Sequence, residues 1–280
     1  MRSTKQTLAI VALTTTLVGT SCMGSVTPAS TPTLPTETFR LYATTATSRL
    51  ALDLNTAYTE AQPFITFENQ TSNYQNNFNQ LIAQDTPYFL TNHLPADSPL
   101  WGAPIGQDGI AIITNTNVNI TDMTVNQLRD IFNGRILTWS NFDDTNNNNI
   151  IVISREDGSG TRAEFERLVM GTRPTTPNAI VASSSDTMLQ SVINTPNSIG
   201  YVSLSLLLNT PLADQVTLLR INGVPAEQQT VTANLYPLRS TIYIVGLQEP
   251  TDNYRTFIGW VQSPAGQAIV AQSYAPLVTP

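Results

Sequence analysis

The sequence predicts an α/β fold with mainly parallel sheets. Three runs rich in isoleucine and valine, at 109–114, 150–153 and 241–245, have the composition of buried strands. Segments in which apolar residues recur at helical spacing lie before, between and after these runs. Alternating strands and helices favour parallel sheets covered by helices, because two parallel strands need a long crossover connection.

Two strand–loop–helix units open the folded part of the chain, and further elements follow at regular intervals. The first unit is a strand at 41–43, a loop of hydroxyl side chains at 44–48 and a helix from Leu50 to Tyr58; the second is a strand at 63–67, a polar loop at 69–77 and a helix from Phe78. The later elements are a helix that begins with the capping box Thr124-Val-Asn-Gln127 and ends at Gly134, a helix at 161–170, a strand at 198–203 and a terminal helix at 257–269.

The first residues have the three parts of a secretory signal. Arg2 and Lys5 precede an apolar run at 8–18, and small residues lead from it to Cys22. The run is too short for a membrane span, which takes about 20 mostly apolar residues. We expect a signal peptide at 1–21 and a lipid on Cys22, the only cysteine of the chain. The alternative is a plain cleaved signal that leaves an unmodified thiol.

The next segment has the composition of a flexible linker. Residues 23–38 contain three prolines and few apolar side chains, too few to form a core. We expect an extended tether at 22–36. The remainder, about 240 residues, suffices for one large domain or for two lobes of ordinary size.

The chain is acidic, and nearly all of its positive charges are arginines. The formal net charge is −7, and loss of Arg2 and Lys5 with the signal peptide takes it to −9. This charge disfavours nucleic acid as a partner. Because Lys5 is the only lysine, an anion site in the mature chain has to rely on arginine side chains and backbone N–H groups.

The segment Arg155-Glu-Asp-Gly-Ser-Gly-Thr161 has the features of an anion site. It connects a buried strand to a helix, and Gly158 and Gly160 let successive backbone N–H groups point toward one place. The helix N-terminus adds free donors and partial positive charge there. Ser159 and Thr161 contribute hydroxyls, and Arg155 contributes a charge with two parallel donors. Together these groups predict a site for a tetrahedral anion.

The same residues allow a second interpretation. A tight glycine turn, a surface arginine and a helix capped by the box Thr161-x-x-Glu164 would need no ligand. The residues alone leave both interpretations open.

Several segments resemble the phosphate-binding proteins that serve ABC phosphate importers. The pattern at 155–161 is the most specific, and the others stand in the order of that family: 106–115, 128–139, 199–205, 236–239 and 257–270. The resemblance implies a type II periplasmic-binding-protein fold, in which two α/β lobes joined by two crossing strands hold the ligand between them. Lobe 1 would be 37–112 and 239–280, lobe 2 would be 113–238, and the crossing strands would lie near 110–114 and 238–244.

The resemblance also implies the ligand contacts. In lobe 2 they fall on Arg155, Ser159, Gly160 and Thr161. In lobe 1 they fall on Thr45 and the N–H group of Ala46 in the first loop, and on a serine of the second loop, for which Ser72 is the candidate and Asn73 or Tyr74 the alternatives.

One lobe 1 position departs from the family. Where the family has a carboxylate that accepts the proton of a protonated phosphate, this chain has Asn92. A carboxylate repels a fully ionised sulfate, whereas an amide can donate or accept and discriminates less. We therefore expect an oxyanion ligand, with phosphate as the leading candidate. The neighbouring His93, the only histidine, is either a pH-sensitive ligand contact or a solvated loop side chain.

These features predict an exported, lipid-anchored solute-binding protein. We expect a monomer that captures phosphate or a related oxyanion and passes it to the permease of an ABC importer. A sensor or adhesion module of the same fold fits the sequence as well. A hydrolase with Ser159 as nucleophile fits less well, because the adjacent base that it needs is absent and His93 lies in the other predicted lobe. We expect no cofactor and no metal, because one cysteine and one histidine do not make a zinc site.

Overall fold

A computed structural model describes residues 36–277 and confirms the α/β fold. The predicted signal peptide, Cys22 and the tether up to residue 35 lie outside the described residues. Each strand predicted from an apolar run is present. Between residues 36 and 277, no helix combines the length and the apolar character that crossing a membrane requires.

The strands and helices alternate along most of this part of the chain. The strands are β1 (Glu37–Thr44), β2 (Ile65–Glu68), β3 (Thr71–Ser72), β4 (Tyr88–Thr91), β5 (Trp101–Asn115), β6 (Asp122–Met123), β7 (Ile151–Arg155), β8 (Ile180–Ala182), β9 (Ser198–Ser203), β10 (Val216–Leu218), β11 (Arg220–Ile221) and β12 (Arg239–Gly246). The helices are α1 (Ser48–Ala61), α2 (Tyr74–Ile82), α3 (Val125–Phe132), α4 (Gly160–Phe165, continued by a π-helical turn over Glu166–Met170), α5 (Ser185–Asn194), α6 (Leu204–Leu208), α7 (Gln228–Thr232), α8 (Asp252–Gln262) and α9 (Pro264–Val270).

One long sheet runs through the molecule in the order β2-β1-β4-β12-β5-β9-β7-β8. At one end, β1 pairs in parallel with β2 and β4, and at the other end β7 pairs in parallel with β8 and β9. The antiparallel pairs lie in the middle, where β12 pairs with β4 and β5, and β5 pairs with β9. Because the carboxyl ends of parallel strands carry the loops that lead to helices, each end of the sheet can present a set of binding loops.

The sheet supports two lobes with separate apolar cores. We use lobe 1 for the part built on β1, β2 and β4, and lobe 2 for the part built on β7, β8 and β9. Both middle strands pass from one core to the other. On β5, Ile105 belongs to the core of lobe 1 and Ile110 to the core of lobe 2. Around the start of β12, Leu238 belongs to the core of lobe 2 and Ile242 to the core of lobe 1. These are the two crossing strands; the residue bounds of the lobes stay a prediction.

A buried carboxyl lies at this crossing. Asp108 is 4% exposed, pairs with Ser240 of β12 in the sheet, and accepts hydrogen bonds from the Ser203 hydroxyl and, at 3.1 Å, from the Ser205 N–H group. Burial raises the pKa of Asp108 to about 7, although these hydrogen bonds act in the opposite direction. The crossing strands therefore contain a group that changes charge near neutral pH.

Two helical predictions were wrong in detail. Helix α2 begins earlier than expected, at Tyr74, because the Asn73 side chain accepts a hydrogen bond from the Asn76 N–H group at 2.9 Å and caps the helix. The predicted terminal helix at 257–269 is two helices, α8 and α9. Pro264 is the first residue of α9, and proline lacks the N–H group that a continuous helix would need at that position.

Candidate functional site

The guanidinium group of Arg155 is the centre of the candidate site. Arg155 ends β7 and is 1% exposed. On one edge, its Nε and Nη2 donate to the two carboxylate oxygens of Glu156 at 2.8 and 3.0 Å. On the other edge, Nη1 donates to the Ser185 hydroxyl at 3.1 Å and Nη2 to the Thr45 hydroxyl at 3.4 Å. The bidentate pair with Glu156 thus orients the free edge of the guanidinium toward hydroxyls from both lobes.

The backbone of Arg155 is fixed by a buried tyrosine. The Arg155 N–H group donates to the Tyr201 hydroxyl at 3.1 Å, and the Ser154 hydroxyl lies 2.9 Å from the same oxygen. Burial raises the pKa of Tyr201 to about 12, so this hydroxyl remains neutral. The Tyr201 ring stacks on Phe165 of α4 with centroids 4.1 Å apart. Strand, helix and arginine are therefore held in one arrangement by a single side chain.

The predicted capping box at Thr161 was wrong, because Ser159 caps α4. The Ser159 hydroxyl accepts a hydrogen bond from the Arg162 N–H group at 3.3 Å, which makes Gly160 and Thr161 the first two residues of the helix. Glu164 does not reach back to the helix start and instead contacts other side chains, described below. Because the cap satisfies Arg162, the N–H groups of Gly160 and Thr161 are the donors at this helix end without an intrahelical acceptor. Both remain candidates for an anion contact.

The loop between β1 and α1 brings the lobe 1 residues to the same place. The Thr45 hydroxyl lies 3.1 Å from the Ser185 hydroxyl, and the Thr45 N–H group donates to the Ser72 carbonyl at 3.2 Å. Ala46 is buried, and its carbonyl accepts a hydrogen bond from the Tyr274 hydroxyl at 3.1 Å. The structure therefore places Thr45 against Arg155 across the interface of the lobes.

Ser72, the candidate ligand of the second loop, makes its hydrogen bonds within lobe 1. Its hydroxyl accepts a hydrogen bond from the Asn76 side chain at 3.1 Å, and its carbonyl holds Thr45. Of the two alternatives, Asn73 caps α2, and the ring of Tyr74 packs against His93 with centroids 5.0 Å apart. The side-chain hydrogen bonds of Ser72 and Asn73 are thus made within lobe 1.

Asn92 lies at the N-terminus of α4, on the other side of the interface. It is 2% exposed, and its Nδ2 donates to the Thr161 hydroxyl at 3.2 Å. Its Oδ1 is buried and has no hydrogen-bond partner among the described residues. A Cβ atom placed on Gly160 would lie 3.0 Å from that oxygen. An unpaired buried carbonyl oxygen is costly and is available to accept a proton from a ligand.

Two residues of the site were missed in the sequence. Glu156 orients Arg155, and Ser185 is the first residue of α5, where its hydroxyl meets both Arg155 and Thr45. The run Ser183-Ser184-Ser185, in which Ser184 caps α5 and Ser185 begins it, was a usable signal. It carried no weight because the short strand β8 that precedes it was not predicted.

Further contacts close the interface of the lobes around these groups. The Gln75 N–H group donates to the Gly158 carbonyl at 3.0 Å, and a Cβ atom on Gly158 would lie 2.7 Å from the Gln75 side chain. Gly158 has φ +83°, which only glycine adopts without strain. A buried guanidinium, hydroxyls from both lobes and a helix end with two free N–H groups thus lie along the interface of the lobes. This arrangement suits a tetrahedral anion.

The geometry offers little to a hydrolytic mechanism. The Ser159 hydroxyl caps α4, and the nitrogen Nδ1 of His93 lies 2.8 Å from Glu164 Oε1, so the imidazole contacts a carboxylate and not the serine. A serine nucleophile needs a base within hydrogen-bond reach.

Comparison with known proteins finds one matching family model and several similar proteins. The family model described as PBP superfamily domain matches residues 88–265. The phosphate-binding protein PstS of Bacillus subtilis is 30% identical over 172 residues, which make up 60% of this chain and 55% of that protein. Phosphate-binding protein PstS 2 of Streptococcus pneumoniae (strain TIGR4) is 33% identical over 132 residues, 44% of each chain. The matches span about half the length of these curated relatives.

Solved structures share the architecture over a larger part of the chain. A Clostridium perfringens protein, described as a phosphate ABC transporter substrate-binding protein with bound phosphate, has a TM-score of 0.77 and 25% identity, and the match covers 87% of this chain and 100% of that chain. An ABC-type phosphate transport receptor from Vibrio cholerae has a TM-score of 0.68 and 21% identity, with coverage of 86% and 100%. Because the family model matches more than half of its residues, this chain belongs to the PBP superfamily.

Proposed function

We propose that this protein binds phosphate or a related tetrahedral oxyanion between its lobes and delivers it to the permease of an ABC importer. The observation that carries the proposal is the buried guanidinium of Arg155, which has a carboxylate on one edge and hydroxyls from both lobes on the other. A buried arginine that can present one edge to two oxygen atoms suits an oxyanion. The names of the relatives and the phosphate bound in the Clostridium perfringens structure support phosphate among the oxyanions.

The anion would exchange the contacts among the side chains for contacts to its own oxygens. In this arrangement Arg155 and the hydroxyls of Thr45 and Ser185 bind from one side, and the N–H groups of Gly160 and Thr161 bind from the helix end. The N–H group of Ala46 completes the lobe 1 half. Ser159 shapes the turn as a cap, and Ser72 acts through its carbonyl, which positions Thr45.

The unpaired oxygen of Asn92 would set the choice among oxyanions. It can accept a hydrogen bond from a P–OH group, but it lacks the negative charge that would repel a fully ionised sulfate. We expect this protein to discriminate between phosphate and sulfate less strongly than a protein with a carboxylate at this position.

The remaining features of the proposal concern the location and the state of the protein. We propose that the protein is exported, is attached to the membrane by lipid on Cys22, acts as a monomer and is a binding protein without catalytic activity of its own. The lobes would span 37–112 with 239–280, and 113–238. A sensor or adhesion role remains the second candidate, and genes for a permease and an ATPase beside this gene would favour import.

Calorimetric titration with phosphate and with sulfate tests the proposal. We expect both anions to bind, with a preference for phosphate. In Asn92→Asp we expect sulfate affinity to fall by about tenfold or more relative to phosphate affinity, because the new carboxylate repels sulfate. The proposed function is wrong if neither anion binds, and the proposed role of Asn92 is wrong if the variant keeps the parent's ratio of affinities.

A further inference from the structure

A tyrosine close to the carboxyl end of the chain contacts the loop between β1 and α1, which carries Thr45 and Ala46. Tyr274 follows α9 and is 2% exposed. Its hydroxyl donates to the carbonyl of Ala46 at 3.1 Å, across 228 positions of the sequence. Burial raises the pKa of the Tyr274 phenol, and the neighbouring Asp108 raises it further, so the hydroxyl keeps its proton and remains a donor. A residue outside the candidate site thus holds a residue inside it.

The N–H group of Ala46 has no partner in the backbone. In residues 36–277, the Thr45 N–H group donates to the Ser72 carbonyl at 3.2 Å and that of Thr47 to the Thr44 carbonyl at 2.9 Å, whereas that of Ala46 has no backbone acceptor. Ala46 is buried, so an unpaired N–H group there is costly unless a ligand or water accepts its hydrogen bond. The Ala46 N–H group is therefore a backbone donor that this loop can offer to an anion.

Hydrogen bonds on either side of this N–H group decide where it points. On one side, the Ser72 carbonyl holds the Thr45 N–H group. On the other side, Tyr274 holds the Ala46 carbonyl, and the Thr47 hydroxyl donates to the Leu90 carbonyl of β4 at 3.0 Å. Loss of the Tyr274 hydroxyl would leave the buried carbonyl of Ala46 without this donor, which favours a rotation of its peptide group. The N–H group of Ala46 would turn with it.

Tyr274 is itself fixed by the crossing strand and by a helix. The next residue, Ala275, exchanges two backbone hydrogen bonds with Gln107 of β5, at 2.7 and 3.0 Å. The Tyr274 carbonyl accepts a hydrogen bond from the Gln228 side chain of α7 at 2.6 Å. The ring belongs to the apolar core of lobe 1. Because ring and backbone are both held, the hydroxyl can act as a rigid support for the loop.

We propose that Tyr274 is a positioning residue of the anion site, which orients Ala46 and Thr45 for the anion without touching it. This inference rests on the proposed function, in which both residues contact the anion. A donor that is held in place before binding contributes more to affinity than the same donor on a loose loop, because binding does not have to order it. Tyr274 therefore acts on affinity through preorganisation of the loop.

The test compares Tyr274→Phe with a matched control. Phenylalanine keeps the ring in the core and removes only the hydroxyl. Tyr236→Phe removes a similarly buried hydroxyl that also donates to a backbone carbonyl, that of Ile110 in β5, at 2.9 Å. Both variants lose one buried hydrogen bond, so urea should unfold both at a lower concentration than the parent, and by a similar amount. Only Tyr274→Phe loses a contact with the loop of Thr45 and Ala46.

We expect Tyr274→Phe to bind phosphate about tenfold more weakly than the parent in calorimetric titration, which is the contribution of one hydrogen bond to a charged group. Tyr236→Phe should bind phosphate like the parent. Similar unfolding with different affinities separates positioning from a purely structural role. Equal phosphate affinities of the two variants would overturn the role of Tyr274 and leave the proposed function standing. If the parent binds neither phosphate nor sulfate, both are overturned.

Discussion

Gly160 is the position at which a single methyl group tests how the lobes close on the site. A Cβ atom there would lie 3.0 Å from Asn92 Oδ1 and 3.2 Å from the Cβ of His93, whereas ordinary contacts begin at 3.4 Å. Both neighbours belong to lobe 1, and Gly160 belongs to lobe 2. The methyl group of Gly160→Ala therefore collides with lobe 1 across the interface, where the neighbours have to move by a few tenths of an ångström.

The expected magnitude follows from the cost of overpacking. Inserting a methyl group into a packed site costs about 1–3 kcal/mol, which corresponds to phosphate affinity lower by about 5- to 150-fold. We expect the lobes to separate when no anion is bound, so the unliganded protein should keep its melting temperature. Alanine is also a better helix former than glycine. Calorimetry with phosphate gives the first quantity and thermal unfolding without anion gives the second.

A second glycine provides the control. Gly259 lies in α8, and nothing lies within 4 Å of a Cβ atom placed there. Gly259→Ala should leave phosphate affinity unchanged and stabilise the protein by about 0.5–1 kcal/mol. Unchanged phosphate affinity in Gly160→Ala would refute the contact of Gly160 with Asn92 and His93. The reasoning is also refuted if the free energy of unfolding without anion falls by as much as the free energy of phosphate binding.

Three further substitutions test the crossing strands and the support of the site. The pKa of Asp108 is raised to about 7, against 3.8 for an ordinary aspartate, so the native state binds a proton more tightly than the unfolded chain. Relative to Asp108→Asn, the parent should therefore be most stable at about pH 4 and should lose up to about 4 kcal/mol as the pH rises to 7. Urea unfolding of both proteins at several pH values measures this difference. Ser185→Ala should weaken phosphate binding by about fivefold in calorimetry, because Arg155 and the anion lose one hydroxyl partner. Tyr201→Phe leaves the buried N–H group of Arg155 without an acceptor and should lower the free energy of unfolding by about 1–3 kcal/mol.

A stability difference between Asp108→Asn and the parent that does not change with pH would contradict the first expectation. For Ser185→Ala the matched control is Ser183→Ala, an exposed serine of the same run, and equal affinities of the two variants would contradict the assignment. For Tyr201→Phe, the expectation is contradicted by a free energy of unfolding within about 0.5 kcal/mol of the parent, which is the range of ordinary surface substitutions.

The fold was predictable where the physical signal is local and repeated. Buried parallel strands are apolar on both faces, so the runs at 109–114 and 150–153 were recognised as strands without knowledge of their neighbours. The start of α2 was missed because polar residues fill its first turn, and the cap that begins it, Asn73, is one of many asparagines in that stretch. Composition alone does not show which asparagine caps the helix.

The site was predictable to the extent that it is contiguous in sequence. Arg155, Gly158 and Gly160 lie in one connection between a strand and a helix, and their chemistry allows an anion site there as well as a capped glycine turn. The choice of Ser159 over Thr161 as the cap could not be made in the same way, since both are hydroxyl residues before a helix. The position of Ser185 depends on how β7 and β8 align.

The partner of His93 was beyond the sequence for a different reason. Glu164 is 71 positions away, and the contact depends on how the two lobes meet. No local pattern marks a glutamate inside a helix as the partner of a histidine in another lobe. Contacts between the lobes therefore require the structure, and this region is where we expect the specificity of the protein to be set.

The most direct test of the central claim is phosphate binding by Arg155→Gln. Arg173→Gln is the matched control, because Arg173 pairs with Asp130 at 2.7 Å in lobe 2, away from the site. Calorimetry of the parent and both variants at one pH should show phosphate affinity lower by about 100-fold or more in Arg155→Gln, since the anion loses its buried cationic partner. The control should bind like the parent. Equal affinities in all three proteins would contradict the claim that this arginine holds the anion.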